Sequence, residues 1–163
     1  MMVGEIDRLD TLLKSLLLFR QDEAGAIHRQ PVLPIIERSL AVIQPHAQER
    51  GVTVRLDRSA SAEASVDSDQ LQQAMMNVLL NAVDASGPGG VVSVRMQAED
   101  KHIDIAVEDN GPGLSLESQD QVFEAFYTTK AGGTGLGLAV TKTVLEKMGA
   151  KIQASNHVAN STP

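Results

Sequence analysis

Hydrophobic residues recur at helical spacing in four segments of the chain, residues 3–23, 34–51, 69–85 and 135–149. In the first segment Ile6, Leu9, Leu13 and Leu16 alternate spacings of three and four, and further leucines widen this face beyond a single stripe. A helix of this kind exposes too much apolar surface to stand alone. We therefore expect it to pack against the rest of the chain or against a second copy, and the pattern does not distinguish the two.

Alternating apolar and polar residues predict strands over residues 52–57, 91–99 and 102–108, with shorter strands at 64–66 and 151–155. A tight turn at Asp100 and Lys101 makes the two longest strands an antiparallel hairpin. The polar stretch 23–31 is typical of a linker, and residues 109–134 form a loop long enough to indicate a function. Hairpin strands with helices on one face favour an α+β fold, a two-layer α/β sandwich with a mixed sheet, over a doubly wound sheet.

Composition narrows the classes of partner. The 163 residues carry a formal charge of −7 with a pI of about 5.0, and only 2% are aromatic. This balance lacks the basic clusters and stacking side chains that bind nucleic acids, which excludes them as partners. There is no cysteine, no secretory signal and no apolar run of membrane-spanning length. We expect a cytoplasmic segment without direct membrane contact, whether or not the parent protein is membrane-anchored.

Two asparagines lie one turn apart on the third helical segment. Asn77 and Asn81 are four residues apart and share one helix face beside apolar neighbours. Asparagine has poor helix propensity, so the pair is either two amides with ordinary partners or the polar part of a ligand site. A neutral carbonyl oxygen suits Mg²⁺ that keeps its waters and also binds substrate phosphates.

The stretch DNGPG, residues 109–113, follows the second hairpin strand at once. As a local motif it is turn chemistry. It also places the Asp109 carboxylate beside Gly111 and Gly113, whose bare backbone lets a flat ligand approach closely. A fixed carboxylate accepts a hydrogen bond from an exocyclic amine such as that of adenine, whereas guanine presents a carbonyl at that place and is repelled.

Glycines lead into the last predicted helix, at Gly132, Gly133, Gly135 and Gly137. Unpaired N–H groups at a helix N-terminus bind phosphate. The segment lacks the preceding strand of a dinucleotide-binding unit and the Gly-Lys-Ser/Thr of a Walker loop, which excludes both motifs.

Four stretches, NVLLNAVDAS, DNGPGL, VFEAFYTTK and GGTGLGLAV, occur in this order. Together they resemble the asparagine box, first glycine box, phenylalanine box and second glycine box of the ATP-binding catalytic domain of sensor histidine kinases. These kinases share an ATPase superfamily with gyrase, the heat-shock chaperones and mismatch-repair proteins. The resemblance covers residues 32–155 and implies a Bergerat-type ATP-binding fold over 32–163, with the completeness of its C-terminus left open. The leading segment resembles the second helix of the family's dimerisation and phosphotransfer hairpin, which implies a bundle helix over 1–22 followed by the linker 23–31.

The resemblance also implies roles for individual residues. Asp109 would bind the adenine amino group, and Asn81 would ligate Mg²⁺. Residues 110–134 would form a lid over ATP, anchored by the packing of Phe123 and Phe126. The implied nucleotide-binding set is Asn77, Asn81, Asp84, Ala85, Asp109, Gly111, Gly113, Leu114, Lys130, Gly133, Thr134, Gly135, Leu136, Gly137 and Leu138. Of these, residues 134–137 would present N–H groups to the phosphates.

Two departures refine the implied reaction. Hydrolytic relatives carry a glutamate one turn before the metal asparagine as general base; here Asn77 stands there and cannot take a proton, which favours transfer over hydrolysis. Many relatives carry a basic residue three positions after the metal asparagine, where this chain has Asp84, which cannot neutralise phosphate. Lys130 and Mg²⁺ are then the expected counter-charges, with an ordinary surface lysine as the equal alternative for Lys130.

The implied activity is transfer of the ATP γ-phosphoryl group to a histidine on a helix missing from this chain. A response regulator would receive it next, and the full-length two-component kinase would be a homodimer. None of the four histidines, His28, His46, His102 and His157, is followed by the acidic residue of a phosphoacceptor. We therefore expect no catalytic residue and no self-phosphorylation in this segment. The alternatives are a nucleotide-binding regulatory module with little catalysis, an anti-sigma-type serine kinase, which the leucine-rich leading helix opposes, and a hydrolytic ATPase, which Asn77 opposes.

Overall fold

Residues 26–58, 61–130 and 133–156 are described by the computed structural model of the chain, apart from the side chain of Asp120. The predicted helix over 1–22 lies outside these residues. The elements are β1 (His28–Pro31), α1 (Leu33–Glu49), β2 (Thr53–Asp57), β3 (Glu63–Val66), α2 (Ser68–Ser86), β4 (Val91–Ala98), β5 (Ile103–Asp109), α3 (Leu116–Gln121) and α4 (Gly137–Lys147).

A mixed sheet of three strands forms one layer, in the order β2-β4-β5. Strand β2 runs parallel to β4, and β4 runs antiparallel to β5, with Val94 opposite Val107. The N–H of Glu99 donates to the carbonyl oxygen of His102 at 2.9 Å and closes the predicted hairpin. The α+β fold with a mixed sheet is therefore confirmed.

Helices α1 and α2 form the other layer, and α4 packs beside α2. Alternate residues of β4 are buried on the helix side of the sheet, and Leu71, Met75, Leu79 and Val83 of α2 meet them at helical spacing. Each side chain of this size contributes about 1.5–3 kcal/mol when it is buried. Asp67 caps α2 by accepting hydrogen bonds from two N–H groups of its first turn. One face of α2 is thus held by the core, and its other face is free to carry polar side chains.

Two regions differ from the sequence prediction. Part of the predicted linker, His28–Pro31, is strand β1 and pairs antiparallel with β3. The pattern gave no apolar alternation there because this two-stranded sheet is largely exposed. The predicted strand over 151–155 is wrong, since residues 151–156 form no strand. A strand needs a neighbouring backbone ladder, and here the side chain of Asn156, not the backbone of 151–155, bonds the backbone at Leu114.

Candidate nucleotide-binding site

The asparagine pair lies on one face of α2, as its spacing predicted, but the two amides have different partners. Nδ2 of Asn77 donates to the carbonyl oxygen of Gly137 at 3.3 Å and to Oγ1 of Thr141 at 3.2 Å. Thr141 is buried, with 1% of its surface exposed, and its hydroxyl donates to the same Gly137 oxygen. Asn77 therefore joins α2 to the first turn of α4.

The second amide meets a lysine from the loop. Nζ of Lys130 donates to Oδ1 of Asn81 at 3.1 Å and lies 3.4 Å from Oδ2 of Asp84. Asn81 and Asp84 are three residues apart on α2, so both oxygens point to the same side of the helix. The lysine expected to serve as a counter-charge thus lies beside the predicted metal ligand, with 42% of its side chain exposed.

Asp84 is the centre of a charged cluster that reaches a third element. Its Oδ1 lies 3.1 Å from Nε2 of His46 and 3.5 Å from a guanidinium nitrogen of Arg50, both near the end of α1. Burial raises the pKa of Asp84, but the hydrogen bond with His46 and the charges of Lys130 and Arg50 outweigh it and hold the pKa below its usual value. Sequence reasoning missed His46 and Arg50, since nothing local marks contacts more than thirty residues away.

The acidic end of β5 forms a turn and lies at the surface. Oδ1 of Asp109 accepts a hydrogen bond from the N–H of Gly111 at 2.9 Å, and the side chain is exposed. A Cβ at Gly111 would lie 2.7 Å from the carbonyl oxygen of Ala85 and 2.8 Å from that carboxylate oxygen. Only glycine lets the loop backbone pass this close to the end of α2. Asp109 therefore forms the turn through one carboxylate oxygen while its side chain stays exposed to solvent.

The next residues of the loop are held by a side chain from beyond α4. Oδ1 of Asn156 accepts from the N–H of Leu114 at 2.8 Å, and its Nδ2 donates to the Leu114 carbonyl oxygen at 2.6 Å. Gly113 has a φ of +76°, and a Cβ there would lie 2.9 Å from the same Asn156 oxygen. Asn156 was not predicted as a site residue, because an isolated asparagine after a helix carries no pattern.

The far end of the loop leads into α4 through the second glycine stretch. The N–H of Gly133 donates to the carbonyl oxygen of Lys130 at 3.1 Å. The N–H of Leu136, which was expected to face phosphate, donates to the Thr134 hydroxyl at 3.3 Å, and the Leu136 side chain is buried. Gly137 is the first residue of α4, and Leu138 beside it is half-buried.

Residues 123–127 of the loop are anchored differently from the prediction. Phe126 is 73% exposed with a φ of +69°, so its anchoring by side-chain packing is wrong. The anchor is backbone instead: the N–H of Phe126 donates to the carbonyl oxygen of Gly135 at 2.9 Å. A left-handed φ and this bond turn the side chain outward. Phe123 is half-buried, and the Tyr127 hydroxyl lies 2.7 Å from Oγ of the buried Ser118.

Helix α2 contacts each of the other three motifs. Ala85 lies against Gly111, Asn81 bonds Lys130, and Asn77 bonds Gly137.

Across the described residues, no group of three or more His, Asp or Glu side chains is placed to hold a metal ion. None of the helices in the described ranges is long and apolar enough to cross a membrane. The fold and these contacts define a two-layer α/β sandwich whose four sequence motifs meet around α2.

Comparison with known proteins agrees with this class. The family described as histidine kinase-, DNA gyrase B-, and HSP90-like ATPase matches residues 66–162. The sensor histidine kinase ZraS of Escherichia coli K12 is 33% identical over 156 residues, which are 95% of this chain and 34% of that protein. The histidine-protein kinase/phosphatase MprB of Mycolicibacterium smegmatis is 33% identical over 168 residues, with 99% of this chain and 34% of that protein covered. The chain thus spans about a third of the length of these relatives.

Solved structures of histidine kinases share the fold. A mycobacterial MprB structure superposes with a TM-score of 0.66 at 32% identity, over 75% of this chain and 82% of that one. Full-length ShkA in complex with AMPPNP gives 0.69 at 29% identity, over 88% of this chain and 32% of that one. ThkA in complex with the response regulator TrrA superposes with a TM-score of 0.75 at 20% identity, over 96% of this chain and 46% of that one.

The chain belongs to the histidine kinase-, DNA gyrase B-, and HSP90-like ATPase family. Within that family it is an ATP-binding catalytic domain of the sensor histidine kinase type.

Proposed function

We propose that this domain binds Mg·ATP between the end of β5, the polar face of α2 and the start of α4, and transfers the γ-phosphoryl group to a histidine of its parent kinase. The observation that carries the proposal is the set of contacts made by α2, which joins the two glycine motifs and the lysine of the loop. Phosphoryl transfer depends chiefly on positioning and electrostatics, and this arrangement supplies both.

Asp109 is the residue that selects adenine. Its Oδ1 is fixed by the N–H of Gly111, which orients the carboxylate and leaves it a second oxygen for the exocyclic amine. The backbone at Gly111 and Gly113 offers a ligand plane no side chain to clash with. ShkA is solved in complex with AMPPNP, an analogue of ATP, and the likeness in fold supports a site for the same class of ligand here.

The side chains present fit a magnesium ion that is held mostly by its nucleotide. Oδ1 of Asn81 is a neutral oxygen that already accepts from the Lys130 ammonium, so this position suits a cation. Water and phosphate oxygens would be the other ligands of such an ion. When bound, Mg²⁺ would neutralise charge on the phosphates.

Transfer is favoured over hydrolysis because the general-base position holds an amide. Asn77 uses its Nδ2 to donate to Gly137 and Thr141, and an amide accepts no proton at neutral pH. A histidine nucleophile from the parent kinase would need no such base. ThkA is solved with a response regulator, which supports the same onward partner for this chain. The parent protein is proposed to be a homodimer.

The test uses the chain with Mg²⁺ and γ-³²P-labelled ATP, with and without the phosphoacceptor hairpin of its parent kinase. We expect label on the hairpin only, labile in acid and stable in base, as the N–P bond of phosphohistidine requires. A hairpin whose acceptor histidine is replaced by glutamine is the control, and it should stay unlabelled. Acid-stable label on a protein substrate would instead indicate a serine kinase. ATP binding without labelling of the hairpin would indicate a regulatory module.

A further inference from the structure

We propose that Asp84 is a positioning residue, which holds the Lys130 ammonium beside Asn81 as the cation that meets the phosphates of the nucleotide. The inference rests on the proposed function. From sequence alone Asp84 counts against phosphate binding, because its charge has the wrong sign. The contacts of its two oxygens point the other way.

The side chain of Lys130 is held in one place by its contacts. A lysine side chain has four rotatable bonds and samples many rotamers when nothing fixes it. Here Nζ is held by two oxygens, at 3.1 Å from Asn81 and 3.4 Å from Asp84. The backbone N–H of Lys130 donates to Oγ1 of Thr128 at 3.1 Å, which orients the loop at the same point. The ammonium is therefore placed beside the predicted metal ligand before a nucleotide arrives.

The two carboxylate oxygens of Asp84 have different partners. Oδ2 of Asp84 faces Lys130, whereas Oδ1 faces His46 of α1 and Arg50, which directly follows that helix. The side chain of Asp84 is 29% exposed, and its conformation is set from both sides. Asp84 thus links α1 to the loop through α2.

The net charge around Asp84 also favours phosphate binding. Arg50 and Lys130 together outweigh the single negative charge of Asp84, so the cluster is net positive even with His46 neutral. A triphosphate near Lys130 therefore meets a positive cluster, with Asp84 as its scaffold. Since Asp84 lies beside two cationic side chains, Arg50 and Lys130, its own repulsion of phosphate is offset locally.

Phosphate repulsion by Asp84 and positioning of Lys130 by Asp84 predict opposite changes in AMPPNP affinity for the variant Asp84→Asn. If Asp84 only repelled phosphate, Asp84→Asn would bind AMPPNP more tightly than the unsubstituted chain. If Asp84 positions Lys130, Asp84→Asn weakens AMPPNP binding by roughly two- to fivefold, the size of a half-exposed charged contact. Binding of adenosine, which has no phosphate, should stay unchanged. Calorimetric titration with Mg²⁺ measures both ligands, and Glu63→Gln on β3 is the control for loss of one negative charge.

A double-mutant cycle shows whether the effect runs through the lysine. In a Lys130→Met background, Asp84→Asn should cause no further loss of AMPPNP affinity, because the group that Asp84 positions is gone. Additive losses would overturn the inference, and so would a parallel loss of adenosine binding, which indicates a structural role only.

The positioning role of Asp84 and the proposed function are refuted by different results. Binding by the unsubstituted chain combined with equal or tighter AMPPNP binding by Asp84→Asn refutes the positioning role alone. If the unsubstituted chain bound neither AMPPNP nor adenosine, the proposed function would fail, and the positioning role would fall with it.

Discussion

Nδ2 of Asn77 lies 3.3 Å from the carbonyl oxygen of Gly137, so the amide of one motif is bonded to a glycine of another, at the first residue of α4. The same nitrogen lies 3.2 Å from Oγ1 of Thr141. The position that holds the general base in hydrolytic relatives is therefore a structural joint between α2 and α4 in this chain. Asn77 has one chemical property that a carboxylate lacks, which is a hydrogen to donate.

We expect Asn77→Asp to lower the free energy of unfolding by about 1–3 kcal/mol, because a carboxylate oxygen would face the Gly137 carbonyl oxygen. The matched control is Asn81→Asp, whose side-chain oxygen faces the Lys130 ammonium and should change stability by only about 0.5 kcal/mol. Urea unfolding of both variants measures the difference. Equal effects at the two positions would contradict the assigned joint.

Gly111→Ala tests the close approach between the first glycine box and α2. The new Cβ would lie 2.7 Å from the Ala85 carbonyl oxygen, so we expect a loss of about 1–3 kcal/mol in the free energy of unfolding. Gly137→Ala is the comparison, since its Cβ would meet nothing closer than 4.0 Å and alanine has the higher helix propensity. Its stability should be unchanged or higher. Chemical denaturation that ranks the two variants in the reverse order would show that Gly111 has room for a side chain.

How far the sequence predicts this molecule can be seen on α2. Its apolar positions recur at helical spacing and meet a buried strand, so its existence, its core face and the shared face of Asn77 and Asn81 all followed from the pattern. Asp109 was also placed correctly at a strand end, because strand alternation stops at the turn. Local periodicity was sufficient wherever one face of an element is buried.

Contacts between distant segments could not be read in this way. The contact of Asp84 with His46 on α1 and the bond of Asn156 with Leu114 join residues about forty positions apart, and neither pair has a local signature. Strand β1 was missed because an exposed two-stranded sheet needs no apolar alternation. The side chain of Phe126 points outward because its backbone is left-handed, with a φ of +69°. A phenylalanine disfavours this conformation, and the hydrogen bond to the Gly135 carbonyl oxygen holds it.

The ionisation of Asp84 predicts an acid-dependent contribution to stability. Its pKa is lower in the folded chain, so its contacts stabilise the fold above the unfolded value of about 3.9 and are lost as the pH falls through the folded value. The difference in unfolding free energy between the unsubstituted chain and Asp84→Asn should therefore shrink between pH 5 and pH 3. Urea titrations at these pH values measure it. A difference that grows on acidification would mean that the carboxylate is destabilised by its neighbours.

Asn156 is expected to fix the start of the loop that follows β5. Asn156→Ala removes both bonds to Leu114, so the Leu114 amide should exchange its hydrogen faster, with a loss of about 1 kcal/mol in local stability. Asn156→Asp keeps the acceptor for the Leu114 N–H and should leave that amide better protected than the alanine variant. Hydrogen-exchange mass spectrometry of the segment containing Leu114 compares them. Identical exchange in all three chains would show that the clamp does not hold the loop.

Asp109 is proposed to bind the adenine amino group, and a matched control residue lies on the same strand. Asp104 is an exposed aspartate of β5 that lies five residues before Asp109 and pairs with His102. Asp104→Ala removes the same charge and side chain without touching the turn at Gly111.

The most direct measurement is a thermal-shift titration with Mg²⁺ and AMPPNP, run beside the corresponding guanine analogue, on the unsubstituted chain, Asp109→Ala and Asp104→Ala. At about 100 times its dissociation constant, AMPPNP should stabilise the unsubstituted chain and Asp104→Ala by about 2.7 kcal/mol. The guanine analogue should stabilise neither, and Asp109→Ala should respond to neither nucleotide. Equal stabilisation of Asp109→Ala and the unsubstituted chain by AMPPNP, or equal responses to the two bases, would contradict the account.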